Sequence, residues 1–211
     1  MQITIKQKDL KAVAYAMPAK DIRYYLCGIL IESNGQETRL IGCDGHRLHA
    51  VVVTDSTAEL VDPVDVIVPA AFVKALLKAK FPKGYRKEFA ATIEGGSIKV
   101  NLPDDTQATC KTIDGKFPDY QRGIPAECSG EYALLNPYYA LAAKVAWGAY
   151  MEGDPINSPD FAYNGGLAAM IACDGFVAVV MARRETHEVI TKPDARFKAD
   201  LAKPAKEEIA A

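Results

Sequence analysis

Cys43, His46 and His49, in the run CDGHRLH, form the one tight cluster whose residue types could hold a metal or supply a thiol nucleophile. Zinc needs a near-tetrahedral ligand set, and a thiol nucleophile needs a base held in place by a further group. Asp44-Gly45 sits inside the run as a hairpin signal, and along the flanking strands side chains alternate between faces. His46 and His49 are three residues apart, so on a regular strand they point to opposite faces. No fourth ligand is evident, and the one nearby carboxylate, Asp44, belongs to the turn. The phosphate-loop, dinucleotide and zinc-protease patterns GxxxxGK[ST], GxGxxG and HExxH are absent. The expectation is therefore a structural or binding role: no catalytic residue, no metal, no cofactor, not an enzyme.

The remaining chemistry is charge. Residues 70–87 carry Lys74, Lys78, Lys80, Lys83, Arg86 and Lys87 with no acid among them. Acids gather elsewhere, at Glu59, Asp62 and Asp65, at Asp104 and Asp105, and at Glu152, Asp154 and Asp160. With 25 Lys+Arg against 27 Asp+Glu the net charge is −2, which argues against basic charge all round and suits a protein with one basic face. The alternative is a helix face that is merely solvated. At about 150 residues per domain, 211 residues make between one and two domains. A composition 49 % hydrophobic and 25 % charged supports a packed core rather than disorder. No apolar run approaches the ~20 residues of a membrane helix, and MQITIKQKDL lacks a signal-peptide core. Cys27, Cys43, Cys110, Cys128 and Cys173 are scattered without a CxxC pair and read as buried thiols. The expected location is the cytoplasm, without membrane contact.

A repeat positions these residues. Ile3-Thr4-Ile5, Val66-Ile67-Val68 and Ala133-Leu134-Leu135 each read as a short strand before an amphipathic helix, at 8–17, 69–80 and 137–149. Leu10, Val13, Ala14 and Met17 make the buried stripe of the first helix, with Lys8, Lys11 and Tyr15 on its other side. In the second, Val73, Leu76 and Leu77 turn inward while Lys74 and Lys78 stand one turn apart outside. The third offers only Lys144 as a cation. Between helices, runs such as 24–33, 39–53, EFAATIE, SIKV, LAAMIAC and FVAVVMA read as strands, broken at Asn34-Gly35, Asp44-Gly45, Gly95-Gly96 and Asp174-Gly175. A strand, a helix and three antiparallel strands, three times over, predicts an α+β protein with helices on one face of its sheets.

Four blocks in order carry a resemblance: DIRYYL at 21–26, CDGHRL at 43–48, DVIVP at 65–69 and DGKFPDYQRGIP at 114–125. They resemble the middle domain of the bacterial DNA polymerase III β subunit family, the sliding clamps, where the stretches read RYYL, TDGHRL, VIVP and DGRFPDY followed by a proline. The resemblance runs over roughly residues 8–125. Residues 131–184 are similar, more weakly, to the second half of that family's last domain, with AVVMARR at 178–184 where the domain ends in VVMPMR. The family's first domain and the first half of its last have no counterpart. The chain thus reads as a shortened clamp: 1–125 a two-unit clamp domain, 126–184 a half domain of one unit, 185–211 a polar tail.

The resemblance implies the DNA clamp (processivity) fold, with sheets outside and helices facing DNA. It implies a passive processivity factor that encircles duplex DNA. Lys8, Lys11, Lys74 and Lys78 would face the hole, and Arg23, Tyr24 and Tyr25 would match a DNA-touching loop. Contacts of this kind reach phosphates and carry no base information, as sliding requires. It also implies a groove for short peptides of a polymerase or clamp loader, at Leu26, Cys43, Gly45, His46, Leu48, Pro118, Arg122, Val179 and Met181. The chain departs from the family at Cys43 (threonine there), Gly123 (valine) and Ala182-Arg183 (Pro-Met). If a family ring holds about twelve units, three per chain imply four chains, a closed homo-tetramer without unpaired edges. The alternative is a clamp-like regulator that competes for clamp-binding peptides, or caps a full-length clamp, without encircling DNA.

Overall fold

The structure, a computed structural model, describes residues 1–53 and 63–184. The first unit runs β1 (Gln2–Lys6), α1 (Gln7–Ala14), β2 (Gly28–Ser33), β3 (Thr38–Cys43) and β4 (Arg47–Val53). The second runs β5 (Val64–Pro69), α2 (Ala70–Lys78), β6 (Glu88–Glu94), β7 (Ser97–Asn101) and β8 (Gln107–Lys111). A third comprises α3 (Pro137–Met151), β9 (Ala162–Asn164), β10 (Ala168–Cys173) and β11 (Phe176–Met181). Glu59, Asp62 and the 185–211 tail lie outside the described residues.

The first two units exchange their leading strands. β1 leaves its own unit to pair with β6 in a sheet ordered β1-β6-β7-β8, and β5 pairs with β2 in a sheet ordered β5-β2-β3-β4-β11-β10-β9. All these ladders are antiparallel, as the hairpin signals require. The third unit extends the longer sheet at β4, where Leu48 lies opposite Val179.

Side-chain alternation then sorts the residues. Inward go Ile29, Ile31, Leu40, Val51, Phe176 and Ile171, packed with Ile3, Ile5, Phe89 and Ile98 of the smaller sheet and with Leu10, Val13, Val73 and Leu76 of the helices. Outward go Leu30, Ile41, Ala50 and Val179, which form a second cluster under Phe117 and Tyr120 of the 113–124 segment. Tyr120 donates its hydroxyl to Glu32, and Arg39 donates to both, so a polar latch holds that segment over the sheet. The helix side is equally tight: a Cβ on Gly42 would lie 2.2 Å from the Val13 carbonyl oxygen of α1, so only glycine admits the helix there.

Three expectations need correction. The leading strand expected at 133–135 is absent, because the carbonyls of the 131–135 stretch serve two separate places. Gly165 donates to Glu131 and Arg183 to Leu134, so the segment crosses strand ends instead of following one. The strand expected from Tyr24 begins only at Gly28, since Tyr24–Leu26 closes into a 3-10 turn with Leu26 and Cys27 donating to Arg23 and Tyr24. The cysteines are free but half-buried rather than buried. No helix among the described residues is long and apolar enough to cross a membrane.

Candidate nucleic-acid and peptide interface

α1 packs against both α2 and α3, so the three helices share one side of the longer sheet. Each of α1 and α2 buries its apolar stripe and leaves the opposite stripe to solvent, which is where Lys11, Lys74 and Lys78 are exposed. Lys8 is more engaged: its ammonium is 3.6 Å from Glu152 and lies over the Tyr150 ring at the seam of α1 and α3. The basic residues predicted from the repeat are therefore brought onto neighbouring helices. Arg23 is not free in the same way. Its guanidinium donates to both Asp21 carboxylate oxygens at 2.9 and 2.7 Å and to the Asp44 carbonyl at 3.0 Å. Those hydrogen bonds hold the Asp21 carboxyl down at about 2. Tyr24 is exposed and meets Tyr25 edge-on, while Tyr25 packs against the outer-face cluster.

The β3–β4 hairpin organises the other site. Gly45 takes φ +84° at its tip, and Asp44 accepts from the backbone N–H groups of His46 and Arg47 and from the Arg47 side chain. Cys43 faces Leu48 across the hairpin and Leu48 faces Val179, so these three line up on the outer face. Leu26 joins them in the same cluster. Met181 donates its N–H to the His46 carbonyl, which fixes β11 beside the turn.

Leu26, Leu48 and Val179 are thus brought together, but as a covered floor. What stays open around them is Cys43, the exposed Gly45 and His46, and Met181, which is 40 % exposed. Pro118 and Arg122 ride on the overlying segment. Pro118 is exposed at the border of a cleft of about 690 Å³ that also involves Tyr24, Leu30 and Tyr120. Arg122 points to solvent and pairs with Asp119 at 2.8 Å, so it is not gathered onto the floor.

The strand alternation expected to separate the two histidines does not apply, because β4 begins at Arg47 and His46 lies in the turn before it. His46 stands at the turn, its ring stacked on Tyr139 at 5.7 Å between centroids. His49 is fully buried on the helix side, its Nδ1 3.0 Å from the Ala12 carbonyl oxygen. Burial pushes the Cys43 thiol up, away from the thiolate a nucleophile would need. Sequence reasoning missed Tyr138 and Tyr139, whose rings lie 5.2 and 4.8 Å from the Arg47 guanidinium. Asn136 caps α3 by accepting from Tyr138 N–H, and the Asn136-Pro137 pair was the available signal that two tyrosines open a helix there.

Residues 4–119 match the family described as DNA polymerase III beta subunit, central domain. The beta sliding clamp of Escherichia coli K12 is 34 % identical over 129 residues, which are 59 % of this chain and 34 % of that protein. The chain spans about a third of the length of the curated relatives it matches. Among solved structures, the DNA polymerase III subunit beta of Pseudomonas aeruginosa aligns with a TM-score of 0.67 at 21 % identity, covering 87 % of this chain and 66 % of that one. The Helicobacter pylori beta clamp bound to a DNA ligase peptide aligns at 0.64 and 13 % identity, covering 87 % and 65 %. At those identities the likeness is one of fold.

Proposed function

This chain belongs to the DNA polymerase III beta subunit family by its central domain, and on that premise we propose that it is a cytoplasmic sliding clamp. It acts by binding alone: it encircles duplex DNA, meets the phosphates with its helix side, and tethers a polymerase or a clamp loader through short peptides. The observation that carries this reading is the pairing of α1 and α2 on one side of the sheet with Lys11, Lys74 and Lys78 exposed on them. Phosphate-directed lysines on rigid helices bind every sequence alike and permit sliding. The peptide site is the rim formed by Cys43, Gly45, His46 and Met181 over the Leu26, Leu48 and Val179 floor, at the junction of the 1–125 and 126–184 segments. The solved Helicobacter clamp with its ligase peptide supports a peptide role for a clamp of this fold.

Encirclement needs a ring. Among the described residues the two sheets end on β1, β8, β5 and β9. No further strand pairs beyond β1 or β8, while β5 and β9 take only single backbone bonds from outside the sheet, Ile113 N–H to the Ile67 carbonyl and Gly130 N–H to the Tyr163 carbonyl. Closing such edges against further copies is the usual reason for cyclic assembly, and a tetramer supplies the twelve units or so of a family ring. Mass measurement of the purified protein at low and moderate salt tests this. A particle of four 22.9 kDa chains, or another closed multiple, is expected; a stable monomer at micromolar concentration overturns the ring.

A further inference from the structure

We propose that the cleft between the start of α1, the 79–87 loop and the end of α3 binds single-stranded nucleic acid, with a base on Tyr85 and phosphates on Arg86, Lys87 and Lys8. The inference concerns a site separate from the outer stripe of α2 and does not require a closed ring. The cleft, about 510 Å³, is lined by Lys6, Lys8, Tyr85, Arg86, Lys87 and two acids, Glu88 and Glu152. A second hollow of about 370 Å³ shares Lys8, Lys87 and Glu152 and continues past Lys11 and Tyr15 along the α1–α3 seam. The two form one cation-rich path.

The loop that carries these cations is fixed at both ends. Gln7 at the head of α1 donates its side-chain amide to the carbonyls of Leu76, Leu77 and Ala79, which caps the end of α2. The Gln7 backbone N–H donates to Lys87 at 2.7 Å, and Lys6 pairs with Glu88 in the β1–β6 ladder. Phe81 anchors the loop from within, its ring 5.1 Å from that of Phe89. Tyr85, by contrast, closes a turn by donating its N–H to the Pro82 carbonyl and is 71 % exposed. One aromatic is spent on holding the loop and the other is presented to solvent beside Arg86 and Lys87, both exposed.

A cationic track with an exposed aromatic platform is how single strands are held without base readout, because every base has a face to stack and every linkage a phosphate. A duplex keeps its bases stacked inside and offers Tyr85 only its backbone. Glu152, 3.6 Å from the Lys8 ammonium, occupies the position that an incoming phosphate would take.

The test uses the full chain with a labelled oligothymidylate of about twelve nucleotides and a duplex of the same length, read by fluorescence anisotropy across salt. Tyr85→Ala is expected to weaken the single strand roughly tenfold and leave the duplex unchanged, with Tyr85→Phe restoring affinity. Arg86→Ala with Lys87→Ala should reduce the salt slope for the single strand by about 1.4. Glu152→Gln should tighten it. Equal loss on both ligands in Tyr85→Ala, or an unchanged single-strand salt slope in the double variant, overturns the proposal. Lys74→Glu with Lys78→Glu is the separate control: it addresses the duplex surface of the clamp reading and is expected to spare the single strand.

Discussion

Lys74→Glu combined with Lys78→Glu is expected to remove binding of duplex DNA at moderate salt, with a loss on the order of a hundredfold per protomer. Both lysines are exposed on α2, one turn apart, while the opposite side of the helix is held by Val73 and Leu76. Reversal of their charge therefore leaves the core untouched, and thermal unfolding should be unchanged. Two lost phosphate contacts also reduce the slope of log affinity against log salt by about 1.8 per protomer. Fluorescence anisotropy on a duplex with no chosen sequence reads both quantities. A protein that only competes for clamp-binding peptides would show no change in either, so duplex binding that survives the double substitution contradicts an inner basic surface built on α2.

Acidification is expected to destabilise the fold well before its carboxylates titrate. His49 is fully buried, and desolvation lowers it to about 4 from an ordinary value of 6.5, despite the Ala12 carbonyl that favours its charged form. Because a carbonyl can only accept, the proton sits on Nδ1, and Nε2 is left without a hydrogen-bond partner among the described residues. A second proton would place a donor there with no acceptor. Between pH 6.5 and about 4 the unfolded chain takes up that proton and the folded chain does not, so stability falls as pH falls through this window. The full loss amounts to about 3 kcal/mol. Asp21 acts lower: its stabilisation is complete above its ordinary value and is lost only as pH drops toward 2. Urea unfolding at pH 7, 5.5 and 4.5 measures the effect, and His49→Gln should flatten it. Equal slopes for both proteins would mean that His49 is not the group responsible.

Much of this fold was legible where local chemistry decides. Asn34-Gly35 and Asp44-Gly45 mark two turns of the longer sheet, and β2, β3 and β4 fall on either side of them. Asn136-Pro137 marks the start of α3, and the Asp44-Gly45 turn leaves His46 at the surface while β4 carries His49 inward. What was not legible depends on distant parts of the chain. Nothing in QITIK says that it pairs with EFAATIE beyond the second helix, or that VDVIVP returns to GILIES. The segment at 133–135 has the composition of a strand, yet its Leu134 carbonyl accepts from Arg183 while the Glu131 carbonyl just before it accepts from Gly165. The candidate site divides along the same line. Lys11, Lys74 and Lys78 follow from helix periodicity alone, whereas the stacking of Tyr139 on His46 needs the third unit to dock on the first, and the bond from Arg23 to the Asp44 carbonyl needs the β3–β4 turn beside it.

Topological retention tests the central claim, encirclement of duplex DNA, most directly. The protein is allowed to thread onto linear duplex from its free ends, the ends are blocked with bulky caps, and high salt is applied. The account predicts that protein survives on capped DNA at salt that strips it from uncapped DNA, and that cutting the capped duplex releases it. Equal loss from capped and uncapped DNA would mean that the chain holds DNA by phosphate contacts alone and closes no ring around it.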